Sequence, residues 1–147
     1  MSRKRSRARG WAVQVLYAWE MRRRRDGLPE VLREFLADRR VGDEAREYLE
    51  TLLSAVDLYL EQTDRSLEEA LLNWRLERLS IIDRSILRLA ATEMVYLAIP
   101  PRVAIQEALL LAEKYSTAES PRFVNGVLDA LMRNTAGEHA SQTGGGP

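Results

Sequence analysis

Hydrophobic residues recur at intervals of three and four positions along most of this 147-residue chain. That spacing places them on one face of an α-helix, whereas a half-buried strand would alternate apolar and polar residues. In the first segment the pattern is carried by Ala8, Ala12, Val15, Leu16 and Trp19. No segment shows a competing strand pattern, so the sequence predicts an all-α protein.

Turn residues and prolines divide the pattern into about seven helices. Ser66 and Ser80 each precede an acid by three residues, and Ser120 precedes a proline, so these serines are predicted to cap helices. Towards the C-terminus the composition changes to Gly, Ser, Thr and Ala. We therefore predict one domain over residues 1–134 and a disordered tail over residues 135–147. The predicted helices cover about residues 2–25, 30–39, 43–64, 66–71, 80–99, 102–115 and 120–134.

Charge is distributed unevenly along the chain. The first 25 residues hold nine Lys or Arg and one acid, a net charge of +8, whereas the whole chain holds 22 basic and 22 acidic residues. Such an asymmetry favours a nucleic-acid partner for the basic end. A solubilising tail is the alternative, but a tail would not be expected to keep the helical hydrophobic pattern.

Several polar groups of the first helix are predicted to share its outward side. Arg7 and Gln14 are seven residues apart and nearly eclipse each other, and Arg9, Val13 and Tyr17 follow at steps of four. Arginines contact phosphates, amides read base edges and aromatic rings stack on unpaired bases. The helix is therefore predicted to bind RNA or another polyanion, with a solvated face as the alternative.

Two features of this segment have two explanations each. The cations Arg22 to Arg25 would either contact RNA or stabilise the helix C-terminus through its dipole. Trp11 would be either a packing residue or a stacking platform beside the basic face, and packing is favoured.

Catalytic chemistry is not indicated. The chain has no cysteine and a single histidine, His139, which falls in the predicted tail. It has no glycine-rich phosphate loop, paired-histidine motif or nucleophile elbow. Asp83 and Glu93 lie on one predicted helix but would be roughly 15 Å apart along it, too far to act as an acid/base pair. We therefore expect neither an enzyme nor a bound cofactor or metal. The absence of a long apolar run argues against a membrane span or a secretory signal, so a cytoplasmic protein is expected, and a transit peptide is the less favoured interpretation.

Three blocks of the chain together resemble the NusB family of bacterial transcription antitermination factors. They are RARGWAVQVLYAWE at residues 7–20, LSIIDRSILRLAATEM at residues 79–94 and RVAIQEALLLAEKYSTAESPRFVNGVLDAL at residues 102–131. The resemblance implies an all-α fold of two small bundles without catalytic activity. It also implies binding of the boxA element of ribosomal RNA transcripts together with NusE, a protein of the small ribosomal subunit. The resulting complex makes RNA polymerase resistant to termination.

The resemblance further implies roles for individual residues. Tyr17 and Asp83 match positions near the NusE contact. Asp83 would otherwise be only a capping acid, and Phe123 is equally suited to anchor the core. The implied RNA-binding residues are Arg3, Lys4, Arg5, Arg7, Arg9, Gln14, Glu119 and Phe123.

Two other functions are kept as alternatives. One is a helical adaptor that binds only proteins and uses its arginines for acidic patches. The other is a free-standing RNA-binding module in ribosomal RNA maturation, of the kind that is fused to ribosomal RNA methyltransferases. The sequence does not select between a monomer and a homodimer that hides the basic helix.

Overall fold

The computed structural model describes the backbone of residues 3–143 and the side chains of residues 3–136. Over this range the chain forms seven α-helices and one short 3-10 helix, without a β-strand, which confirms the predicted all-α class. Among the described residues, no helix is both long and apolar enough to cross a membrane. The helices are α1 (Arg3–Met21), α2 (Leu28–Ala37), α3 (Asp43–Leu58), α4 (Leu60–Ala70), the 3-10 helix (Leu76–Arg78), α5 (Ile81–Tyr96), α6 (Pro101–Tyr115) and α7 (Ser120–Thr143).

The helices form two small bundles around one continuous core. Helices α1 to α3 pack against one another, and α4 to α7 form the second group. Helix α5 joins the groups because it also packs against α1 and α3. The apolar face predicted for α1 is buried in this arrangement through Ala8, Ala12, Val15, Leu16 and Trp19.

The start of α5 is capped as the sequence predicts. Ser80 lies just before the helix, and its hydroxyl accepts a hydrogen bond of 3.1 Å from the backbone N–H of Asp83. Pro101 begins α6, where the first N–H would have no helical partner. These local signals determine where α5 and α6 begin, and both helices line the candidate site.

Helix α1 ends four residues earlier than predicted. The N–H of Arg24 donates to the carbonyl of Trp19 (3.1 Å), and the N–H of Arg23 donates to that of Glu20 (2.9 Å), which are the hydrogen bonds of a Schellman motif. Arg23 and Arg24 have φ angles of 54° and 58°, in the left-handed region that glycine usually fills at a helix end. The arginines at this end therefore form the turn themselves instead of extending the helix.

The segment predicted as one helix over residues 43–64 is divided at Tyr59. This residue has φ −107° and ψ 18°, outside the helical range, although its carbonyl still accepts a hydrogen bond of 2.8 Å from the N–H of Thr63. Its ring stacks on that of Tyr96 in α5, with centroids 3.9 Å apart, so packing between helices accompanies the break. Helix α4 then continues through Ser66, and the predicted cap at Ser66 is wrong.

Helix α7 extends beyond the boundary that its composition predicts. A disordered tail was expected from residue 135, but helical backbone continues to Thr143. The hydroxyl of Thr135 donates a hydrogen bond of 2.9 Å to the carbonyl of Leu131. The change in composition does not end the helix, because this stretch also contains Ala and Glu, which favour helix. Residues 144–147 and the side chain of His139 lie outside the described residues.

Candidate nucleic-acid interface

The N-terminal half of α1 presents most of its cations to solvent. Arg3, Lys4, Arg5 and Arg7 are exposed. The ammonium of Lys4 lies 2.5 Å from the exposed carboxylate of Glu44. An ion pair in solvent is worth little and exchanges readily, so a stronger anion can replace its acid. These four cations form a surface that anionic groups can reach, which we call the basic surface.

Arg9 does not belong to the basic surface, and its predicted outward position is wrong. Its side chain is 3% exposed, its Nε lies 2.8 and 3.0 Å from the two carboxylate oxygens of Glu93, and its Nη1 lies 3.5 Å from Glu107. Val13, predicted on the same outward ladder, is also buried. Helix α1 packs against α3, α5 and α6, so its buried face is wider than the apolar stripe alone indicates.

A buried network connects Arg9 with the surface above it. The hydroxyl of Tyr48 in α3 donates to Glu93 in α5, and the ring of Tyr48 lies 4.9 Å from the guanidinium of Arg5. Burial raises the pKa of Glu93, and the charge of Arg9 acts in the opposite direction. Burial and the bond to Glu93 raise the pKa of Tyr48, which keeps its hydroxyl a donor. One guanidinium therefore faces Glu93 and Glu107 and ties α1 to the helices around it.

A groove of about 450 Å³ runs beside Arg7, between α1 and α6. The side chain of Tyr115 covers Gly10, where a β-carbon would make an ordinary contact of 3.4 Å with the tyrosine hydroxyl oxygen. Trp11 meets Phe35 edge-on with ring centroids 5.6 Å apart, which supports the packing role favoured for it. This groove, called the arginine groove, is lined by Ser6, Arg7, Gly10, Trp11, Gln14, Glu107, Leu110, Leu111, Lys114 and Tyr115.

A second groove of about 570 Å³ adjoins the first, and the two share Gln14 and Tyr115. Tyr17 lies in it and is 42% exposed, in agreement with its predicted outward position. Ile82 contributes the start of α5 to the same groove. This tyrosine groove is lined by Val13, Gln14, Tyr17, Ala18, Arg22, Val31, Glu34, Phe35, Asp38, Arg39, Ile82 and Tyr115.

A third groove of about 300 Å³ lies where α5 meets the start of α7. The carboxylate of Asp83 accepts hydrogen bonds from the hydroxyls of Ser116 (2.6 Å) and Ser120 (3.1 Å), so it joins α5 to α7. Glu119 is exposed, while Phe123 is half-buried against the core and also faces the groove. This tryptophan groove is lined by Trp74, Arg78, Leu79, Ser80, Asp83, Thr117, Glu119, Ser120 and Phe123.

The arginines at the end of α1 make local contacts. Nη1 of Arg22 lies 2.6 Å from the carboxylate of Glu34 in α2. Nη2 of Arg24 lies 3.0 Å from Glu20, and its guanidinium lies 4.3 Å from the ring centroid of Trp19. For Arg24, whose partner Glu20 is 10% exposed, these contacts favour the structural explanation over RNA binding, whereas the pair of Arg22 and Glu34 is exposed like that of Lys4 and leaves both explanations open.

Glu20 belongs to a second buried network, where the end of α1 meets α5. Its carboxylate accepts hydrogen bonds from Arg88 (2.6 Å) and Arg84 (3.3 Å), and Arg88 also donates to Asp64 in α4 (2.8 Å). Burial raises the pKa of Glu20, but the hydrogen bonds from Arg24 and Arg88 outweigh it and lower that pKa to about 2. Glu20 therefore remains ionised in the folded protein down to strongly acidic pH.

The chemistry of this region suits binding rather than bond-making. Among the residues that the structure describes, no group of three or more His, Cys, Asp or Glu is placed to hold a metal ion. Cations at the start of α1 stand beside grooves that contain aromatic rings and an amide. Phosphates, base faces and base edges are the groups that such side chains bind.

Comparison with known proteins identifies the family. The NusB family model matches residues 6–133. The chain belongs to the NusB family. The transcription antitermination protein NusB of Thermoanaerobacter sp. (strain X514) is 39% identical over 133 residues, which cover 88% of this chain and 91% of the relative. NusB of Bacillus mycoides (strain KBAB4) is 41% identical over 129 residues, covering 87% and 96%.

Solved NusB structures have the same fold. NusB of T. maritima is 34% identical with a TM-score of 0.81, over 90% of this chain and 93% of the other. A chain in the crystal structure of the antitermination factors NusB and NusE in complex with dsRNA is 29% identical with a TM-score of 0.81, over 91% and 99%. The resemblance drawn from three blocks of sequence is therefore confirmed.

The structure distributes the residues that the NusB resemblance singles out over two regions. The exposed arginines and Gln14 lie at the basic surface and the arginine groove, whereas Glu119 and Phe123 line the tryptophan groove. Tyr17 is in the tyrosine groove, and Asp83 is beside Phe123. Four further groove residues were not singled out from the sequence, because they are distant from the basic segment; these are Trp74, Arg78, Lys114 and Tyr115.

Proposed function

We propose that this NusB family member is a transcription antitermination factor that binds the boxA element of ribosomal RNA transcripts together with NusE. The observation that carries the proposal is the basic surface of α1, which lies beside the arginine groove. The crystal structure of NusB and NusE with dsRNA supports it, since a chain of that complex shares this fold. The protein then acts in the cytoplasm within the RNA polymerase antitermination complex, as a binding factor and not as an enzyme.

In this proposal the RNA backbone lies along the basic surface. Its cations neutralise phosphates and release counterions, and the amide of Gln14 contacts a base edge in the arginine groove. Arg9 has no such role, because its guanidinium is buried against Glu93. The proposed RNA-binding residues are Arg3, Lys4, Arg5, Arg7, Gln14, Glu119 and Phe123.

The proposed NusE contact includes Tyr17 and Asp83. Tyr17 offers an exposed ring with a polar tip, a combination that is common at protein interfaces. Asp83 accepts two hydrogen bonds within this chain, and its carboxylate has lone pairs left for a donor on NusE. The two residues lie near each other on the surface, because Ile82, the residue before Asp83 in α5, lines the tyrosine groove together with Tyr17.

A titration of boxA RNA and of a scrambled RNA of equal length, each with and without NusE, tests the proposal. We expect tighter binding of boxA, a further gain when NusE is present and a steep loss of affinity as salt rises. Equal affinity for both RNAs under all four conditions would contradict boxA recognition. Binding of NusE without binding of either RNA would instead indicate a helical adaptor for proteins.

A further inference from the structure

Trp74 is 57% exposed, although its indole is large and mostly apolar. It lies in the connection between α4 and the 3-10 helix, and it lines the tryptophan groove together with Phe123. A single exposed apolar side chain needs no explanation, but an aromatic pair that lines a groove with charged groups around it has the composition of a binding site.

The 3-10 helix that follows Trp74 is held in place by hydrogen bonds. The N–H of Leu76 donates to the carboxylate of Glu68 in α4 (3.0 Å). The guanidinium of Arg84 in α5 donates to three backbone carbonyls in and just after the 3-10 helix, at 3.4, 3.1 and 3.3 Å. Trp74 therefore lies two residues before a segment that these hydrogen bonds fix, which helps to position a stacking platform.

The charges around the tryptophan groove suit the edge of a base better than a phosphate. Glu119 and Asp83 both line it, and two carboxylates repel a phosphate placed among them. Carboxylates accept hydrogen bonds from base amino groups such as that of cytosine, and the faces of Trp74 and Phe123 can stack on any base. Arg78, which also lines the groove, supplies a cation for the flanking phosphate.

The tryptophan groove continues the surface proposed for RNA. The arginine and tyrosine grooves share Gln14 and Tyr115. The tyrosine groove is lined by Ile82 and the tryptophan groove by Asp83, the next residue of α5. The arginine and tyrosine grooves therefore adjoin, and the tyrosine and tryptophan grooves, which share no lining residue, both reach the start of α5, so a single strand bound in the first two can extend towards the third.

We infer that Trp74 and Phe123 form a stacking site for one unpaired base of the bound RNA. The carboxylate of Glu119 accepts a hydrogen bond from the edge of that base, and Arg78 contacts an adjacent phosphate. The inference rests on the proposed RNA binding and adds Trp74 and Arg78 to it. Stacking tolerates any base, whereas a carboxylate requires a hydrogen-bond donor on the base edge. Glu119 therefore makes the site prefer a base whose edge carries an amino group.

Substitution of Trp74 tests the stacking site. We expect Trp74→Ala to weaken boxA RNA binding about 5- to 100-fold, the range for loss of one stacked base, and Trp74→Phe to retain most of the affinity. Leu72→Ala is the matched control, because Leu72 is 90% exposed in the same connection and does not line the groove. Affinities are measured by fluorescence anisotropy at one salt concentration, and unfolding midpoints verify the fold of each variant.

Two further measurements separate stacking from a general loss of structure. BoxA binding should quench indole emission in the wild type, and Trp74→Phe should remove most of that quenching. A series of boxA RNAs, each with one abasic nucleotide, identifies the stacked base. At one position the missing base should lower the affinity of the wild type by the same factor as Trp74→Ala. The same abasic RNA should bind the Trp74→Ala variant as tightly as intact boxA does.

The outcomes distinguish this inference from the function on which it rests. Equal boxA affinity of the wild type and Trp74→Ala overturns the stacking site, as does the lack of any coupled abasic position. Loss of NusE affinity with unchanged RNA affinity overturns it in favour of a protein contact. A wild type that does not prefer boxA to the scrambled RNA contradicts the proposed function itself.

Discussion

The two ends of α1 carry similar numbers of arginines, yet the structure uses them differently. At the start of the helix Arg3, Arg5 and Arg7 are exposed. Just after its end Arg22 and Arg24 are exposed as well, but Arg22 binds Glu34 of α2, and Arg24 binds Glu20 and the ring of Trp19 in α1. Local charge density therefore does not separate a binding surface from a structural cluster. The difference depends on which acids the fold brings within reach.

The buried networks beneath the two ends differ as well. At the start, the Arg9 guanidinium faces the carboxylates of Glu93 and Glu107. At the end, Glu20 is shared by Arg24, Arg84 and Arg88, and Arg88 also binds Asp64. The first network has an excess of acid below a surface rich in cations, whereas the second has an excess of arginine. Substitutions at the two ends of α1 should therefore differ in their effects on stability and on RNA affinity.

The largest effect is expected for Arg9→Ala. Removal of this guanidinium leaves two carboxylates buried without their cation, and the free energy of unfolding should fall by about 3–5 kcal/mol. Arg7→Ala, two residues away in the exposed set, should change it by less than about 0.5 kcal/mol. Urea unfolding of both variants at neutral pH measures the difference, and similar stabilities would show that Arg9 is not the structural arginine of this end.

The second-largest effect on the free energy of unfolding is expected for Glu20→Gln, and this effect should depend on pH. The pKa of Glu20 in the folded protein is about 2, below the ordinary value of 4.5, so its ionisation stabilises the fold above pH 4.5 and this contribution is lost as pH falls towards 2. At pH 7 the substitution should lower the free energy of unfolding by about 2–3 kcal/mol. The difference in unfolding free energy between variant and wild type should become smaller as the pH falls towards 2. A gap that stays constant from pH 7 to pH 3 would contradict the low pKa.

RNA binding should respond to one end of α1 and not to the other. Arg5→Ala with Arg7→Ala should weaken boxA affinity about 10- to 100-fold and reduce the salt slope by about 2, because two phosphate contacts are lost. The matched pair Arg23→Ala with Arg25→Ala removes the same charge and should leave both quantities nearly unchanged. If the two pairs weaken binding equally, net charge and not the basic surface determines affinity.

The smallest effect is expected at the turn after α1. Arg23 has a φ angle of 54°, which costs an ordinary side chain about 1 kcal/mol relative to glycine. Arg23→Gly should therefore stabilise the protein by about 0.5–1 kcal/mol and leave boxA affinity unchanged. Thermal unfolding with an RNA titration at fixed salt measures both, and a loss of stability would indicate that the Arg23 side chain contributes more than its conformation costs.

Local sequence signals predict much of this fold. The apolar stripe of α1 and the cap from Ser80 to Asp83 depend on residues within a few positions, and both are found as expected. The break at Tyr59 was missed, because its ring stacks on Tyr96, which lies far along the chain. Periodicity within a segment carries no information about such a partner.

The candidate site was predicted less completely for the same reason. Arg9 follows the same step of four as exposed Tyr17. Its burial depends on Glu93, 84 residues away, and on Glu107, and neither partner can be read from the periodicity of α1. Trp74 was placed in a connection, and its groove exists only once α5 and α7 pack together. The family resemblance supplied the partners and most of the residues, but not the order of the grooves.

Arg84 donates at once to the carboxylate of Glu20 and to the carbonyls of the turn below Trp74. One guanidinium therefore ties the end of α1 to that turn. The conformational entropy of the turn is lost when the chain folds, not when a ligand arrives. A molecule that binds at Trp74 meets a neighbouring 3-10 helix that is already ordered, so its affinity is not reduced by the ordering of that segment.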